Sequence, residues 1–145
     1  MTICYPTDAA IERIGLGLLD RTLPKPEWTH AAHFAATLWL LRSRPEISLA
    51  ERLPDIIRAY NEATGVENTD TGGYHETVTQ ASIRAARRLL DRFALTRPLH
   101  EIHDALMASR LGDKRWLLDY WSSERILSVE ARRTWVEPDL QALPF

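Results

Sequence analysis

The sequence predicts an all-α fold: a single-domain helical bundle of five or six helices with an extended C-terminal tail. Three observations carry this. Every long apolar segment repeats with the helical period, none alternates like a strand, and proline or glycine punctuates the chain at helix-length intervals. The chain has 145 residues, enough for one domain with a real core, and its 45% hydrophobic and 26% charged content is that of an ordinary globular protein.

Residues 8 to 20 set Ile11, Ile14 and Leu18 on one face behind a Thr7 or Asp8 cap. Gly15 and Gly17 weaken that helix but permit a close neighbour. The run Leu23-Pro24-Lys25-Pro26 breaks the chain, and Pro26 suits the first position of a second helix reaching about Arg42. Ala31, Phe34, Ala35, Leu38 and Leu41 form its buried stripe, and Trp39 and Leu40 fill the remaining directions, so this helix is central. Ser48 and Glu51 form a capping-box pattern for the third helix, which Pro54 should kink or split and Gly65 should close. A polar loop, VENTDTGG, leads into a long helix from about Gly73 to Phe93. Pro98 opens a helix ending at Gly112, and Asp113 can cap a short one carrying Trp116, Leu117, Tyr120 and Trp121. One short helix then gives way to a tail tied down by Trp135, Leu140, Leu143 and Phe145.

Composition narrows the function classes. A net charge of -2 gives no global field toward nucleic acid or anionic membrane. The arginines at 84, 87, 88 and 92 lack interleaved aromatics and read as a solvated helix face rather than an RNA surface. No segment offers the ~18 apolar residues of a membrane span, and the N-terminal residues do not read as a signal peptide. A lone cysteine, Cys4, excludes a disulfide framework and a cysteine-rich metal site; it fits a reducing, cytoplasmic home and makes a poor nucleophile without a placed base.

The informative residues are polar groups on inward faces. On the second helix Glu27 falls within the buried stripe, with His30 on its flank and His33 another ~60° round. On the long helix His75 shares the apolar face with Val78, Thr79 and Ser82, and Glu76 sits at its edge. Buried polar groups need partners, so these imidazoles and carboxylates are expected to meet. His30, His33 and His75 could then ligate Zn, Fe, Mn or Ni, with Glu27 or Glu76 as a further ligand or as general base on metal-bound water. Asn68, Asp70, Tyr74 and Thr79 would contact a small-molecule substrate from the loop and the helix start.

Competing readings stand beside this one. Glu27 can serve the helix dipole, His75 can hydrogen-bond Thr79 or a carbonyl, and Glu76 can be the carboxylate of an N-terminal cap. A metal-free pocket could hold a small polar or anionic ligand, or the aromatic tail could dock a partner. A full di-iron site is not expected, because Glu27-x-x-His30 has no second copy, and a calcium loop is rejected because its closing glutamate position falls on Thr79. His100 and His103 read as surface residues.

The stretches EWTHAAHFAATLWLL, NTDTGGYHETVT and YWSSERILSVEARRTWVEPDLQAL together resemble a bacterial family of small uncharacterised proteins sharing EWTHxAH and GYHET-like motifs. The resemblance runs from the second helix to the tail. It implies one small cytoplasmic domain and carries no assigned activity, so it supplies no catalytic residues.

Overall fold

The computed structural model describes residues 5–145, so Cys4 lies outside the described residues. Among these the chain forms seven α-helices: α1 (Asp8–Asp20), α2 (His30–Ser43), α3 (Leu49–Ala63), α4 (Glu76–Leu90), α5 (Leu99–Ala108), α6 (Ser123–Ile126) and α7 (Val129–Arg133). No strand occurs among the described residues. Five helices are long, as the periodicity predicts; α6 and α7 are each about one turn and introduce the tail.

The Thr7 hydroxyl caps α1 by accepting the Ala10 N–H at 3.1 Å. Gly15 lies under the Trp39 ring, and a Cβ there would stand 2.2 Å from a ring carbon. That absence of a side chain lets α1 press onto α2, which is buried on nearly every side from Ala31 to Leu40.

Helix α2 starts later than the apolar run suggests. Pro26 belongs to a separate 3-10 turn, Lys25–Glu27, and the chain re-enters helix only after Thr29, whose hydroxyl accepts the Ala32 N–H at 3.2 Å. A hydroxyl satisfying an orphan N–H sets the start here, and the proline does not. Consequently Glu27 stands outside α2 and loses its helical spacing from His30.

In α3 the Ser48 side chain makes no cap bond. Pro54 sits within the helix without splitting it. Proline has no N–H to give the carbonyl four residues back, and that carbonyl, Ala50 O, accepts instead from Gln80 Nε2 of α4 at 2.8 Å. The expected break becomes a tie between neighbouring helices. Gly65, at φ +82°, closes α3 with the Val66 N–H on Asn61 O.

Buried Thr77 of α4 fixes the C-terminal segment. Its hydroxyl lies 2.7 Å from Ala131 O and accepts the Val136 N–H at 3.2 Å. Trp121 Nε1 donates to Val136 O, the Arg88 guanidinium to Pro144 O, and Arg84 lies over the Trp135 ring at 4.2 Å. The exposed arginine face of α4 thus holds the tail. Trp135, Leu143 and Phe145 pack on the core, whereas the Leu140 side chain is 58% exposed and is held by its backbone N–H on Tyr120 O.

His103 departs from its surface reading. It is fully buried, with Nε2 donating to Ala31 O at 2.9 Å, because α5 docks on α2 with that face inward. No helix among the described residues is long and apolar enough to cross a membrane.

Candidate functional site

The first turns of α2 and α4 open onto one cavity of about 490 Å³, walled on a third side by α3. That volume suits a small organic ligand. His30, His33, His75, Tyr74 and Thr79 all line it, so five of the nine residues singled out in the sequence share one wall. The other four do not reach it.

Glu27 turns outward into a two-pronged ion pair with Arg13, 2.7 Å at its shorter contact, because the turn before Thr29 rotates it off the α2 face. Glu76 accepts from the Tyr74 hydroxyl at 2.6 Å and from Gln80 Nε2, and is not on the wall. Asp70 pairs with Arg133 of α7 at the surface. Asn68 braces the loop: its Oδ1 accepts from Asn61 Nδ2 and the Tyr74 N–H, and its Nδ2 donates to Arg58 O. The loop closes over Gly73 at φ +78°, where a Cβ would stand 2.5 Å from Glu67 O. Of this region, Tyr74 and Asn61 line the cavity, and Asn68 and Asp70 do not.

The histidines differ in what their nitrogens already do. His75 is the N-cap of α4: Nδ1 accepts the Val78 N–H at 3.2 Å and Nε2 donates to Ile126 O at 2.7 Å. Both ring nitrogens are engaged and the tautomer is fixed. Burial depresses its basicity, partly opposed by the bond to Ile126 O. His30 donates Nε2 to Leu111 O at 2.8 Å and keeps Nδ1 uncommitted. His33 stacks on Trp28 with ring centroids 3.9 Å apart, and among the described residues its ring makes no hydrogen bond.

His33 is exposed by area yet enclosed by protein; its bare surface is cavity wall. Desolvation first, then Coulombic opposition from the His30 and Lys25 side chains, pulls its pKa down to about 3, so the ring is neutral at physiological pH.

Sequence reasoning missed the cavity's charge. Of the 18 Lys and Arg residues only two are lysines, Lys25 and Lys114, and both line the cavity. No arginine lines it, and no Asp or Glu among the described residues does. Asn61, Thr37 and Ser82 add hydrogen-bonding groups, while Trp28, Phe34, Leu53, Ile57 and Trp116 supply apolar surface. Nothing in the local pattern marks either lysine, since each sits in a turn between helices.

The three-imidazole metal centre with a carboxylate is not assembled. His75 has no free nitrogen, Glu27 and Glu76 are engaged elsewhere, and no group of three His, Cys, Asp or Glu among the described residues is arranged to hold a metal ion. Comparison with protein-family models, with curated proteins and with solved structures gives no match for this chain.

Proposed function

We propose that the protein binds a small anionic molecule, a carboxylate or phosphate with an apolar body, in the cavity between α2, α3 and α4. One observation carries this reading: the wall holds both lysines of the chain, with no carboxylate to balance them. A cleft lined by one sign of charge focuses its field and favours an opposite charge, even though both lysines are themselves exposed. The N-terminal turns of α2 and α4 add the positive ends of two helix dipoles. The apolar wall would take the ligand's body. The reading includes a cytoplasmic home, on the argument that a chain with one cysteine has no disulfide to protect.

Thermal denaturation with millimolar phosphate, benzoate and benzylamine tests it. The anions should raise the melting temperature by several degrees and the amine should not. The Lys25→Met/Lys114→Met double variant should lose the shift, and EDTA should leave it intact. Equal shifts from the amine, or an undiminished shift in the double variant, would contradict the proposal.

A second reading keeps the metal in reduced form. His33 has a ring without hydrogen bonds and His30 an uncommitted Nδ1, so these two could hold a divalent ion completed by the ligand's own oxygens. Elemental analysis of untagged protein decides it: below a tenth of an equivalent of Zn, Fe, Mn or Ni, with none taken up on dialysis against them, leaves the metal-free site.

A further inference from the structure

We propose that His33 is an aromatic-recognition platform, and that the anion held in the cavity carries a flat aromatic ring stacked on it. This rests on the anion reading and narrows it to one chemical class.

Three rings form a column running from core to cavity. Tyr60 at the base is fully buried, and its hydroxyl donates to Leu23 O at 2.9 Å. Trp28 leans on it with centroids 5.3 Å apart, and His33 lies nearly parallel on Trp28 at 3.9 Å and 28°. Exposure rises along the column from buried Tyr60 through half-buried Trp28 to exposed His33. The last ring has one face covered by Trp28, and its remaining surface is turned to the cavity. His75 hydrogen-bonds through both ring nitrogens and His103 through its Nε2, each to hold neighbouring backbone in place. His33 makes no such bond; what the fold provides is support for its ring.

The column also stands beside the charge. Lys25 lies close enough for its ammonium to oppose protonation of His33, and it shares a turn with Trp28, whose N–H donates to Lys25 O at 3.0 Å. A ligand anchored at Lys25 therefore brings its ring onto His33. Flat rings gain from offset stacking beyond the area they bury, and saturated rings of the same size do not.

Calorimetric titration of the full chain with matched pairs tests this: benzoate against cyclohexanecarboxylate, and phenyl phosphate against cyclohexyl phosphate. The aromatic member of each pair should bind about tenfold more tightly, the scale of one well-made ring contact. His33→Phe should keep that ratio, and His33→Leu should reduce it below about twofold while leaving the cyclohexyl affinities in place. Equal affinities within each pair for the unaltered protein would overturn the aromatic assignment and leave the anion reading standing. A ratio unchanged in His33→Leu would overturn the role of His33. No binding by any of the four probes would remove the anion reading and this inference together.

Discussion

The cavity wall and the outer surface of this protein treat charge in opposite ways. Outside, carboxylates are matched with guanidinium groups: Glu27 with Arg13, Asp70 with Arg133, Asp119 and Asp113 with Arg110. At the cavity wall two exposed lysines stand beside three imidazoles, and no carboxylate of the described residues joins them. The outer pairs are mutually neutralised and screened by water, so they hold little in reserve for a ligand. The two lysines have no carboxylate partner at the wall, and on the proposed reading an anion takes that place.

The comparison is most severely tested at Trp116, a fully buried residue that also walls the cavity. Trp116→Ala should destabilise the fold by about 3–5 kcal/mol in denaturant titration, as large-to-small changes of buried aromatics do. A loss below about 1 kcal/mol would mean that the wall is not built as described. Next comes His75→Ala, which removes a helix cap and orphans Ile126 O. It should lower stability by about 2 kcal/mol, read by the same titration, with metal content unchanged.

The imidazoles also separate the two regions by pH. His33, His75 and His103 all have pKa values held below the ordinary 6.5, chiefly by burial. The unfolded chain therefore binds protons that the folded chain refuses, and stability falls as pH drops below 6.5 toward about 3. The paired carboxylates, among them Glu27 and Asp70, are shifted down from ordinary values of 4.5 and 3.8, so their contribution fades only at lower pH. Urea midpoints should thus decline already between pH 6.5 and 5, and His33→Phe should shallow that decline. The smallest effect belongs to the outer surface. Glu27→Gln should leave both the melting temperature and benzoate affinity indistinguishable from the parent.

Much of this was readable from the residues. Helical periodicity gave the five long helices, and it put His75, Val78, Thr79 and Ser82 on one inward face, where the structure has them along the cavity. The start of α2 was not readable in that way, because a proline-led run and a threonine cap compete and the threonine wins. That one difference removes Glu27 from the site. Pro54 misled for a related reason: a proline breaks a helix only if the freed carbonyl stays unmet, and Gln80 meets it from another helix. The two lysines were invisible because turns converge only in three dimensions. His103 was misplaced by the side on which α5 docks, which its own short stripe does not determine.

The most direct test watches His33 itself. Titrating benzoate into ¹⁵N-histidine-labelled protein at pH 7 should move the His33 ring resonances along a saturating curve, as those of a neutral imidazole throughout. In the Lys25→Met/Lys114→Met variant they should stay still. Unmoved His33 signals in the parent at saturating benzoate, or equal movement in the double variant, would contradict an anion held at this wall.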